Sequence, residues 1–139
     1  MTDNNTPNPN PTETDIVKVS PETDALVEQE MKGQDEQIKE ETKALVEAMR
    51  KRAQSEIENA QTITQDAYLN AVRIAREALE QNELLNPKRI EYSAEMIQRD
   101  VEKNWQKTVD EISALGDRLQ EAAQAAWDIL MGKDNSNSK

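Results

Sequence analysis

The chain has 139 residues, of which 32 % are charged and 35 % apolar, with a formal net charge of −11. That length supports one domain, yet with no Phe, two Trp and two Tyr the apolar residues can fill a narrow helical seam and not a thick globular interior. Cys and His are both absent, which removes the thiol nucleophile, the disulfide, the commonest general base and the commonest zinc ligand together.

The acidic surplus is concentrated before residue 36, where eight acids face two bases. Nucleic-acid binding rests on clustered Lys and Arg that neutralise phosphates, and the single basic run is Arg50-Lys51-Arg52. On a helix those three point in three directions, with Glu47 one turn behind, so they read as a solvated, salt-bridged face. Without a basic-then-apolar leader or an apolar run near the ~18 residues of a membrane span, the expectation is a soluble, cytoplasmic chain, at most peripheral to a membrane or granule.

Residues 1–19 open as an acidic tail carrying Pro7, Pro9 and Pro11, a composition that cannot repay the entropy of ordering and predicts disorder. Within it, Ile16, Val17 and Val19 form an apolar island readable as a linker or as a short linear motif that docks on a partner. Residues 20–33 predict a short helix or linker: Ser20 is an N-cap, Pro21 suits the first helical position, and Gly33 ends or weakens the segment. Asp35-Glu36 then suits the start of a longer helix.

From 34 to 85 no Gly or Pro interrupts the chain. Met49, Ala53, Ile57, Ala60, Thr64, Tyr68, Ala71, Ala75 and Leu79 recur every three or four residues, about 3.67 per turn, which predicts one nearly straight rod of roughly 75 Å. Asn86 and Pro87 mark a sharp break and a new start. Residues 87–131 carry a mostly heptad stripe (Ile90, Ala94, Ile97, Val101, Trp105, Thr108, Ile112, Leu115, Leu119, Ala122, Ala126, Ile129), and Gly132 is a natural stop. Residues 132–139 read as a disordered polar tail.

The expected fold is therefore all-α, a long antiparallel, coiled-coil-like helical hairpin over 34–131. Counting outward from a turn near Leu85, Trp105 falls beside Thr64, and Gly116 beside Ala53, which reads as a close approach of the two backbones or, alternatively, as a surface glycine or a kink. One hairpin buries a single face of each rod and is marginal on its own, so oligomerisation is expected to complete it. Met49, Ile57, Tyr68, Leu79, Ile97, Trp105, Ile112, Leu119 and Trp127 are the candidate oligomer or partner interface; Trp105 and Trp127 read first as side chains that fill the seam, and alternatively Trp127 anchors an exposed apolar end.

No chemistry-bearing constellation stands out. The i, i+4 carboxylate pairs Glu36/Glu40 and Glu91/Glu95 lie off the apolar stripes and read as solvated faces, and Glu95 with Arg99 reads as a simple ion pair. Neither a glycine-rich phosphate loop nor a nucleophile elbow is present. The expectation is no enzyme, no cofactor and no metal, but an interaction or scaffold protein that self-associates and docks on a larger assembly. The alternative is an amphipathic coat on a lipid or storage-polymer surface.

The stripe in residues 49–79 is similar to the stalk helices of ATP-synthase b-type subunits, a resemblance that implies a right-handed coiled coil and from which the chain departs by ending its rod at Pro87. A small acidic Cys-free chain with an Ala- and Trp-rich stretch near residues 122–130 also looks something like the phasins, which implies a coat on polymer granules. Neither resemblance assigns a role to a particular residue.

Overall fold

Four of the helix boundaries form where the local chemistry places them. In the computed structural model, which describes residues 17–132, Ser20 caps α1 (Pro21–Glu30) by accepting from the Thr23 N–H, with Pro21 at the first position. Asp35 caps α2 (Glu36–Asn59) through the Gln37 N–H at 3.1 Å. Asn86 caps α4 (Pro87–Leu115) by accepting from the N–H groups of Lys88 and Arg89. Gly132 closes α5 (Arg118–Met131) in the left-handed conformation. With α3 (Gln65–Glu80), these are the five helices among the described residues, which contain no strand. The tail readings for 1–16 and 133–139, and Ile16 of the candidate motif, lie outside the described residues.

The two expected rods are each interrupted. The first bends back at residues 60–64 through a helix-ending motif built without glycine: Gln61 takes φ 57°, its N–H donates to the Glu58 carbonyl, and the Thr62 N–H donates to the Ile57 carbonyl at 3.0 Å. This double bond around a left-handed residue is the usual glycine terminator, here with Gln in its place. Thr64 then caps α3 by accepting from the Ala67 N–H at 3.1 Å. The second rod breaks at Gly116, whose φ is 50° and whose absent Cβ would meet nothing within 4 Å. Gly116 therefore serves backbone conformation, and the close helix approach expected there is not formed.

α4 also leaves helical geometry at Asn104 (φ −152°, ψ 53°). The next residue, Trp105, lies against Tyr68 with ring centroids 5.7 Å apart. Further along α3, Val72 and Arg76 share a groove with Ala94 and Gln98, so α3 and α4 run antiparallel, with Trp105 against Tyr68 where the sequence count places it beside Thr64.

α2 runs through the middle and packs on all four other helices. Ser20 meets Glu47 while Glu28 meets Lys39, and Trp127 meets Arg52 while Leu130 shares a groove with Ala44 and Leu45, so both α1 and α5 run antiparallel to α2. With four helices around it, α2 buries Met49, Ala53 and Ile57 on one side while Lys39, Lys43, Glu47, Arg50 and Lys51 are buried on others. The stripes are real in both halves: Tyr68, Ala75 and Leu79 of α3 and Ile90, Ile97, Val101, Ile112 and Leu119 of α4 and α5 join the same core. Only Ala60 and Thr64, in the connection, are exposed.

Candidate functional site: a charged groove under the first helix

The nine residues expected at an interface with another molecule are occupied within this chain. Met49, Ile57, Tyr68, Leu79, Ile97, Ile112, Leu119 and Trp127 are buried in the common core, and Trp105 is partly buried against it. Trp127 is not an exposed anchor: it is 7 % accessible and Arg52 lies over its ring at 4.1 Å, a cation–π contact. Of the apolar island, Val17 is buried in the core and Val19 is half-buried.

The more distinctive feature is polar. Arg50, Lys51 and Glu47 on α2 and Glu111 on α4 are each under 9 % exposed, so the expected solvated face is salt-bridged but largely buried. Glu111 accepts from both terminal nitrogens of Arg50, from Lys51 Nζ at 3.0 Å and from Gln54 Nε2 at 3.0 Å. Lys51 also lies 3.3 Å from Glu47, whose carboxylate accepts from the Ser20 hydroxyl and backbone N–H at 3.0 and 3.2 Å. Arg50 donates to Thr23 Oγ1 at 2.7 Å. One network thus joins α1, α2 and α4, as buried charges require if they are not to cost several kcal/mol each.

Each group responds to the others. Burial alone would raise the Glu111 carboxyl, but Arg50 and Lys51 outweigh it and hold it below the usual range. Arg50 is shifted upward in spite of burial, by Tyr68, Glu111 and Glu47. Tyr68 is pushed up to about 12 by burial, with Arg50 pulling the other way. Its hydroxyl, Gln54 Oε1 and Thr108 Oγ1 are buried without hydrogen-bond partners.

Toward the other end of α1 the network becomes a row of ion pairs. Lys43 Nζ lies 2.7 Å from both Asp24 and Glu28, Lys39 Nζ lies 2.9 Å from Glu28, and Arg99 of α4 lies 3.1 Å from Glu30. Hydrogen bonds from Lys43 and Lys39 hold the Glu28 carboxyl below its ordinary value. Lys39 is raised by Glu28 and Glu36, and Lys43 is raised against the opposing effect of burial by its bonds to Asp24 and Glu28. Arg99 therefore pairs with α1 and not with Glu95, while Glu36, Glu40, Glu91 and Glu95 are exposed as expected.

Lys39, Lys43, Glu47, Arg50 and Gln54 are spaced 4, 4, 3 and 4, a second stripe as regular as the apolar one. That spacing is the sequence signal that a helix face is shared by these side chains, although nothing in it says that the face is covered. Chemically the arrangement is a clasp: fixed ion pairs under a helix. Where α1 begins, an open groove of about 440 Å³ lies between Ser20–Glu22, Lys51 and the Lys107–Leu115 stretch of α4. Among the described residues no group of three Asp or Glu side chains is arranged to hold a metal, and no helix is long and apolar enough to cross a membrane.

Comparison with known proteins yields no matching family model, no matching curated protein and no matching solved structure.

Proposed function

We propose that the chain is a non-catalytic helical interaction protein whose docking elements are its surface features, because its apolar stripes are buried in its own core. The observation that carries this reading is the end of the bundle near the α3–α4 turn. Leu84 is 93 % exposed there, on an open groove lined by Ala44, Leu45, Leu85 and Leu130 and edged by Glu41, Asn86 and Arg89. A large aliphatic side chain held in water at the rim of such a groove suits an anchor for another protein.

The buried cluster supports the same reading. Glu111 already accepts from Arg50, Lys51 and Gln54, and Lys51 is paired with both Glu47 and Glu111, so these side chains are engaged with one another as a structural network. The test is retention of proteins from a cell lysate by immobilised wild-type chain and by Leu84→Asp at matched helicity. A partner bound by the wild type and lost by the variant, by about tenfold or more for a central anchor, supports docking at this end. Identical retained sets overturn it.

Leu84 and Leu85 next to Lys88 and Arg89 also favour a second reading, a coat that touches a lipid or polymer surface through this end. Titration with anionic vesicles tests it: binding that Leu84→Asp abolishes supports the coat, and no co-sedimentation of the wild type removes it.

A further inference from the structure

α1 is held differently from the other four helices. Residues 20–31 contain four acids and no base, and three of those acids meet Lys39, Lys43 and Arg99. Its buried side chains are few, Thr23 and Val27 within the helix, with Met31 just beyond it and Val17 ahead of it. At ten residues it is shorter than the ~12–15 at which isolated helices become even marginal in water, so its order depends on the groove beneath it. It joins α2 through the exposed residues 32–35, where Gly33 turns with φ 81° and nothing within 4 Å of its missing Cβ.

Resting on the reading of this chain as an interaction protein, we infer that the groove on α2 and α4 is an acceptor for an acidic helix in trans, and that its partner is α1 of a second copy. Two chains would exchange their first helices by straightening residues 32–35. Simple release of α1 is disfavoured, since Val17, Val27 and Met31 would enter water and Arg50 would lose Thr23. Exchange restores every one of these contacts on the other copy, which makes it an accessible route to a two-fold dimer. Charge complementarity selects the occupant, because α1 is uniformly negative while the groove beneath it presents Lys39, Lys43 and Arg99.

The test uses two full-length variants. One carries Asp24→Lys with Glu28→Lys, the other Lys39→Glu with Lys43→Glu. Alone, each sets like charges against each other, both within one chain and in its own exchanged dimer. Mixed, each first helix meets a groove of opposite sign only on the other chain. Sedimentation equilibrium should show helical monomers separately and a one-to-one heterodimer on mixing. The heterodimer should be about tenfold or more tighter than either homodimer, and it should weaken with added salt. A mixture that sediments as two monomers throughout the concentration range overturns the exchange, as does homodimerisation of either variant as tight as the mixture. Should a double variant lose its helical circular dichroism, Glu28→Lys mixed with Lys43→Glu separates the same two outcomes with smaller disturbance. A missing heterodimer leaves docking at Leu84 standing, since that end is not altered.

Discussion

Replacing Glu111 by Gln should unfold this protein more readily than almost any other single polar change. The carboxylate sits between a guanidinium 2 % exposed and an ammonium 3 % exposed, and accepts from Gln54 as well. Glutamine keeps one acceptor oxygen but turns an NH2 group toward cations that also donate, so two buried charges lose their shared counter-ion. Removing one partner of a buried pair costs about 3–5 kcal/mol. At roughly 4 °C per kcal/mol for a chain of this size, the thermal midpoint should fall by about 12–20 °C. Urea unfolding followed by far-UV circular dichroism reads the same loss. The double change Arg50→Met with Glu111→Leu removes both charges, leaves Lys51 with Glu47, and should stay within about 2 kcal/mol of the wild type, since apolar replacement of a buried pair is often neutral or better. A loss below about 1 kcal/mol for Glu111→Gln would mean that water reaches the cluster, and the clasp would then be a surface feature.

The remaining predictions follow from particular sites. Gln61→Gly should stabilise the chain by about 1 kcal/mol, because the left-handed conformation costs a side-chain-bearing residue about that much; an unchanged urea midpoint would count against the turn at residues 60–64. Leu119→Ala, at a site with 0 % exposure, should cost about 2–5 kcal/mol, and a cost under 1 kcal/mol would place Leu119 outside the core. Glu111 and Glu28 both titrate below their ordinary values in the folded chain. They bind protons more weakly folded than unfolded, so the stability they confer is present above pH ~4.3 and is lost as pH falls through the folded values. The thermal midpoint should therefore drop on acidification below that pH, less steeply in the Arg50→Met, Glu111→Leu double variant; equal slopes would assign the acid sensitivity elsewhere. In a Tyr92→Phe background, absorbance at 295 nm should stay flat through pH 10, since Tyr68 is pushed up to about 12. A phenolate signal with a midpoint near 10 and unchanged circular dichroism would show that Tyr68 is solvated.

Much of the helical framework was legible because its signals are local. Ser20-Pro21, Asp35-Glu36, Asn86-Pro87 and Gly132 act through their own backbone and side chains, and each marks a helix end in the folded chain. The break at residues 60–64 was not legible for the opposite reason. Its terminator is a Gln in a conformation that Gly normally supplies, and the stripe from Ile57 through Ala60 and Thr64 to Tyr68 stays in phase across it. Periodicity reports which face is apolar, and it cannot distinguish a rod lying on another molecule from a rod that folds back on itself. Signals of the break were present in the β-branched run Thr62-Ile63-Thr64 and in Thr64 followed by Asp66, a helix start that propensity alone weighs too little.

The buried charges were hidden by a related limit. Residue type assigns Lys39, Lys43, Glu47, Arg50 and Lys51 to solvent, and only the arrival of α1 and α4 over that face makes them interior. Sequence spacing displayed the polar stripe, but the covering helices come from distant parts of the chain, Ser20 and Thr23 upstream and Glu111 far downstream, a separation that no local pattern reports. The same long-range packing lays Arg52 over Trp127, which favours the seam-filling side chain over the anchor of an exposed end.

Sedimentation equilibrium from low to high micromolar concentration, with circular dichroism on the same samples, tests most directly whether the core is complete in one chain. The expected result is a strongly helical monomer on dilution, with dimer appearing only as concentration rises. A poorly helical monomer, or a dimer or tetramer that persists undiminished on dilution, would contradict the account, because the apolar stripes would then need another copy to cover them.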